Sequence, residues 1–439
     1  MPTPSPFWDI YEEHLDEATF LWGQRDNALV SARHVLADAA GLEERLIAHL
    51  DGLVLGGAPV AKRLLLPALA ADDATRVSAS ALALIEAERD DAVGAVLSAL
   101  EGEESVRIGI LRALEVTERR ELPALLLPLL ESPNPDVRAG VLDVFTFRSM
   151  EPGQALTGLL QDGDRRVRRA AIRATRISAT SLDRDTLRRA LEEAAAEVQD
   201  EALETGVVLG FKAAWAACVM SLQNPSASSE RAMALVGMGG EARELEMLQE
   251  RLSDVGTRGT ALWALGLSGR IAAANACLPY LGDGNKGVAR LAAEAFCAIT
   301  GLVLEDDYLT ESEPEPDGLT PIEEENLDAS LVPTPEEALP LANPERVEKW
   351  WRRAQKGFAQ DGRYLYGKPF EATWFLEVLA RAPTRRRHAL LLELAVRTRG
   401  QLWLESRDTV ARQLRRIEKF AGHRGVRFLL PFKNLLTIT

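Results

Sequence analysis

A repeat of about thirty residues constrains this chain more than any other feature. Segments reading polar, small, Val-Arg, then Ala or Leu recur at Glu104-Ser105-Val106-Arg107, Pro135-Asp136-Val137-Arg138 and Arg165-Arg166-Val167-Arg168. Val77 precedes them and Val198 follows, so successive valines stand 29, 31, 30 and 31 residues apart. Val288 lies 90 residues beyond Val198, three further periods, with a less regular register near Ser228 and Thr257. Eight units fit between residues 62 and 301. A period of this length marks stacked supersecondary units.

Each unit splits into two apolar-periodic helices. The first is Leu-rich, as in Pro123-Ala124-Leu125-Leu126, and ends in a polar turn such as Glu131 to Pro135. There Asn134 is expected as N-cap, Pro135 as the first helical residue and Asp136 in the first turn, where a carboxylate suits the helix dipole. The second helix is rich in Ala, Val and Leu, with glycines (Gly240, Gly269, Gly301) expected just past its end. A two-helix unit this short cannot bury its apolar faces alone, so neighbours stack. The predicted class is all-α: an α-solenoid with a long concave surface.

Flanking segments complete the plan. Residues 1–61 read as an N-terminal helical cap of two or three helices, residues 302–345 as an acidic, Pro-rich linker, and residues 346–439 as a basic C-terminal helical domain with about four helices. Between Arg290 and Arg346 there is no Lys or Arg but there are 15 acidic residues, whereas residues 346–439 carry 21 basic and 8 acidic side chains. Such asymmetry reports a partner or an internal electrostatic match; one reading has the linker lying across the basic domain and masking it. No apolar stretch approaches 18 residues and no signal-peptide pattern opens the chain. Cys218, Cys277 and Cys297 lack metal-ligand spacing and read as small core residues in a reducing, cytoplasmic setting.

Motifs for chemistry are missing. None of the five histidines precedes Glu, and there is no Cys-x-x-Cys, Gly-x-Ser-x-Gly or Ser-x-x-Lys. Val236-Gly237-Met238-Gly239-Gly240 ends a helix instead of cradling a phosphate. No catalytic residue, metal or cofactor is expected. Two clusters are candidates for protein contact. Arg165, Arg169, Arg173 and Arg176 share one helical face, either a ridge paired with acids of the neighbouring repeat or a docking patch. Trp350, Trp351, Arg352 and Arg353, with Arg385, Arg386 and Arg387 further on, have the Trp/Arg composition of interface hot spots; the alternative is a Trp core anchor with solvated arginines. A single Arg-rich repeat in an acidic array is a poor footprint for nucleic acid.

The Val-Arg starts and the Ala264-Leu265-Gly266 ending resemble the HEAT-like repeats of phycobilisome lyase subunits. Three further stretches resemble a bacterial HEAT-repeat family encoded in type VI secretion gene clusters: His14 to Trp22 with Arg25, Leu42 to Leu53, and Trp350 through Gly367-Lys368-Pro369 to Arg412-Gln413. The resemblance implies a cytoplasmic accessory role and supplies no catalytic residues. The leading expectation is a non-enzymatic protein-binding scaffold, an adaptor or co-chaperone for loading a secreted effector or spike-tip component. The alternative is an immunity or regulatory protein that blocks a toxin; a HEAT-repeat enzyme or DNA-binding protein stands third.

Overall fold

The computed structural model describes residues 7–87, 89–178, 182–223, 230–310, 336–420 and 426–439. Helices dominate, and among the described residues the named strands are two short ones, Tyr364–Leu365 and Lys368–Pro369, paired antiparallel. The chain forms an α-solenoid that divides into two compact units. The first comprises Met1–Trp215, Leu376–Val426 and Leu436–Thr439; the second comprises Ala216–Phe375 and Arg427–Leu435.

In the first unit two cap helices, Trp8–Ala28 and Leu36–Leu55, precede the repeats. The second helices of five repeats follow: Ala74–Glu86, Glu104–Val116, Pro135–Arg148, Arg165–Ala174 and Ala196–Leu209. The second unit adds three more, Glu230–Gly239, Arg258–Ser268 and Lys286–Thr300. Among the described residues, eight helices take this second position.

Local chemistry explains the boundaries. Asn134 accepts from the Asp136 amide at 3.0 Å with Pro135 at the first helical position, and Asp73, Asp164, Asp183 and Asn285 cap later or earlier helices in the same way. Gly269 and Gly301 end their helices with φ of 66° and 74°, a left-handed step that side chains resist. Gly240 takes no positive φ; the glycine serves packing instead, as a Cβ there would lie 2.6 Å from the Val236 carbonyl. The valines of the period (Val77, Val137, Val167, Val198) are wholly buried, and Gly109 lets its helix approach Val77 so closely that a Cβ would stand 2.6 Å from it.

The C-terminal residues do not form one body. Residues 346–375 belong to the second unit, 376–426 and 436–439 to the first, a correction to the expected domain at 346–439. The physical reason lies in helix ends, whose last carbonyls have no intrahelical partner. In the first unit, Arg412 donates to the carbonyls of Glu115 and Val116, both at 3.0 Å, and to that of Thr117. Thr384 binds the cap through the Ala28 carbonyl at 2.5 Å, Val410 donates to buried Glu43 at 2.8 Å, and Ile438 pairs with Gly210 at 2.9 Å. In the second unit the buried Arg363 donates to the carbonyls of Leu267 (3.0 Å) and Ser268 (2.9 Å), while Tyr366 and Gly367 donate to Ala298 (2.7 Å) and Ile299 (3.0 Å). The tail returns too: Phe432, fully buried, lies against Gly239, where a Cβ would meet its ring at 2.1 Å.

Residues 302–310 and 336–345 belong to the second unit, where Leu309 bridges Ala342, Thr310 donates to Leu341 at 3.0 Å and Asn343 to Tyr308 at 2.8 Å. The expected linker thus begins and ends in ordered pairing. Its centre, 311–335, and any masking by it lie outside the described residues.

A candidate docking groove

The Arg-rich helix of the first unit is spent on internal pairing. Arg165 meets Glu197 at 2.8 Å, Arg169 meets Asp143, and Arg173 meets Asp143 (3.5 Å) and Glu405 (2.6 Å). Arg176 is buried between Glu201 and Glu204 (2.7 Å), bonded to Thr205 and set over the Trp403 ring, 4.8 Å from its centroid. Apart from Glu405, the partners lie about one repeat away in sequence, so these arginines pair within the chain and do not form a free basic patch.

Beside it, Glu115 pairs with Arg112 at 2.8 Å near Asp26. Burial pushes the Glu115 carboxyl up to about 7, against the opposing pull of Arg112. A carboxyl raised in the fold favours the neutral form, so its contribution is intact below the ordinary value near 4.5 and is lost as pH rises towards 7. With each pKa unit equivalent to about 1.4 kcal/mol, the cost above pH 7 is on the order of 1–3 kcal/mol. Glu115→Gln is therefore expected to raise the melting temperature at pH 8 and leave it nearly unchanged at pH 5. Equal effects at the two pH values would show that Glu115 is ionised throughout.

The remaining candidates are separated by the fold. Arg386 and Arg387 are buried, and Arg385 is half-buried with its amide bonded to Ser31 at 2.9 Å. Arg387 donates to Gln413 at 2.5 Å, and burial lowers its pKa to about 10. Arg386 and Arg387 are thus enclosed within the first unit, and the backbone of Arg385 ties this segment to the N-terminal cap. Trp351, 2% exposed, donates to Asn275 at 2.7 Å and meets Phe296 edge-on, so it anchors the core of the second unit. Cys218 and Cys277 are buried, and burial pushes the Cys297 thiol up to about 12, which leaves it protonated and unreactive.

What stays open is the other face of the same helix. Pro344–Ala354 starts at Asn343, whose side chain accepts from the Arg346 amide at 3.2 Å. Val347 and Trp351 face the core; Arg346, Lys349, Trp350 and Arg353, at i, i+3, i+4 and i+7, share the opposite side. They line a groove of about 470 Å³ with Asp307 and Tyr308. Trp350 is half-buried, held by the Phe296 ring at 6.2 Å and stacked on Trp351 at 6.0 Å. Arg346, Lys349 and Arg353 are exposed and have no ion-pair partner among the described residues, whereas Arg352, off this face, pairs with Glu348 at 3.4 Å. Sequence reasoning named Trp350 and Arg353 but missed Arg346 and Lys349; the helical spacing from Arg346 was the available signal.

A rigid aromatic flanked by three uncompensated cations is suited to holding an acidic segment that also carries apolar side chains.

Residues 122–205 match the family model described as HEAT repeats. Two solved structures show likeness to the chain. One is the crystal structure of Kap121p bound to Ste12p, 12% identical over 64% of this chain and 37% of that one, with a TM-score of 0.34. The other is an engineered protein, 17% identical over 65% of this chain and 89% of that one, with a TM-score of 0.28. This chain thus spans about a third of the Kap121p chain that it resembles. No curated protein matches it. No helix among the described residues is long and apolar enough to cross a membrane.

Proposed function

We propose that this protein is a non-enzymatic scaffold that binds a protein partner, and that the Arg346/Lys349/Trp350/Arg353 groove is its contact. The carrying observation is that this face keeps three cations without carboxylate partners around an accessible tryptophan, while the Arg165–Arg176 ridge is neutralised within the chain. The more specific role, an adaptor or co-chaperone loading a type VI secretion effector or spike-tip component in the cytoplasm, draws support from the three sequence stretches that resemble that family.

The test is capture from native lysate by the intact chain and by Arg346→Glu/Lys349→Glu/Arg353→Glu. A partner recovered by the first and lost, by ten-fold or more, with the second is the expected result; a charge-pair loss of about 2 kcal/mol corresponds to roughly thirty-fold, above that threshold. A secretion effector or spike component among the lost proteins would support the adaptor role. A toxin whose activity the chain blocks would favour the immunity alternative instead. A captured set indifferent to the triple reversal would remove the groove from the account.

A further inference from the structure

We propose that the groove reads an extended acidic segment of the partner, in which carboxylates about three residues apart flank one apolar side chain. This rests on the groove being the docking surface and names what fits it. The lining sets the polarity. Arg346, Lys349 and Arg353 carry charge that no carboxylate meets among the described residues. The Trp350 indole N–H and the Tyr308 hydroxyl likewise have no hydrogen-bond partner there. Donors therefore dominate, and a carboxylate is the matching acceptor.

Two observations favour an extended segment over a helix. The first is size. A helix is about 10–12 Å across with its side chains, so two turns fill on the order of 1,000 Å³. The groove encloses about 470 Å³, which suits the thinner strand. The second is hydrogen bonding. A helix satisfies its own backbone, whereas an extended segment presents N–H and C=O groups that need partners. Asp307, exposed in the lining, can accept from such an N–H, and Trp350 and Tyr308 can donate to such a C=O.

Spacing follows from the helix that carries the cations. Arg346 and Arg353 stand seven residues apart on it, with Trp350 between them. That separation is about 10 Å along the axis. Extended backbone covers the same distance in about three residues. Carboxylates at its two ends therefore meet Arg346 and Arg353, and the apolar side chain between them lies over the Trp350 ring. Lys349 adds charge on the same face.

The test is fluorescence anisotropy of labelled, end-capped peptides with the full chain at low salt. The probe Gly-Glu-Leu-Ser-Glu-Gly carries the inferred spacing. Its isomer Gly-Glu-Leu-Glu-Ser-Gly keeps the composition but brings the carboxylates closer, and Gly-Glu-Ser-Ser-Glu-Gly lacks the apolar group. An alanine-based helical peptide carries Glu at i, i+3 and i+7 with Leu at i+4. The first probe is expected to bind several-fold more tightly than its isomer and the helical peptide, and about ten-fold more tightly than the serine form. Trp350→Ala should erase the advantage of Leu over Ser. Arg346→Glu/Lys349→Glu/Arg353→Glu should abolish binding with the melting temperature unchanged, since these side chains are exposed. Equal binding of the first probe and its isomer, tighter binding of the helical peptide, or no binding at millimolar peptide overturns the proposal. If that happens while capture from lysate still depends on the three cations, the docking surface stands and only the extended acidic fit falls. Capture indifferent to the reversal removes the surface itself.

Discussion

Arg176→Ala is expected to destabilise the first unit by about 3–5 kcal/mol, the cost of removing one member of a buried ionic cluster and leaving its partners uncompensated. Arg176 has a side chain only 1% exposed, between Glu201 (2%) and Glu204 (7%). Without the guanidinium, two carboxylates remain enclosed near each other, and Trp403 loses the cation above its ring. They would respond by taking up protons, so the loss should be smaller at pH 5 than at pH 8. Chemical unfolding at both pH values measures this. Adding Glu201→Gln and Glu204→Gln to Arg176→Met should recover much of the stability, because a cluster replaced as a whole leaves no charge stranded. A loss below 1 kcal/mol for Arg176→Ala would mean that water reaches the cluster.

The second large effect separates two adjacent tryptophans. Trp351→Ala should cost about 3–5 kcal/mol, the range for a deleted core aromatic. The side chain fills the space between Phe296, Phe358 and the Ile271–Cys277 helix, and its indole N–H satisfies Asn275. Trp350→Ala should cost much less stability yet remove partner binding, since that ring is half-buried at the groove. Unfolding curves and capture assays on the two variants should therefore dissociate. Equal losses of stability would show that both rings belong to the core and would leave the groove without its anchor.

The array was legible from sequence because its signals are local. Caps such as Asn134-Pro135, the buried valines one period apart and the left-handed glycines 269 and 301 each act within a few residues. The ridge was half legible. Asp143 and Glu197, the partners of Arg169 and Arg165, stand 26 and 32 residues away, so a repeat-wide search for acids would have found them. The cap helix Trp8–Ala28 runs unbroken for 21 residues. The division of the C-terminal residues was not legible. It follows from pairings such as Arg363 with Ser268 and Arg412 with Glu115, which no local pattern encodes. Composition also misled at Arg386 and Arg387, since arginine is rarely so deeply buried.

A stacked array ordinarily needs only its neighbours, so it can acquire structure from one end as the chain emerges from the ribosome. The first unit departs from that economy, because Arg25 donates to the carbonyl of Arg407, 382 residues later, and Val410 joins a core with Ala28, Leu29 and Leu36. At synthesis rates of about 5–20 residues per second, roughly 20–80 s separate the two sides of that contact. During this interval the cap and the open helix ends around Thr117 await their covering. The nascent chain thus needs residues 407–410 to seal a cap made long before them, so a chain cut short near residue 400 would carry a defect in its N-terminal half.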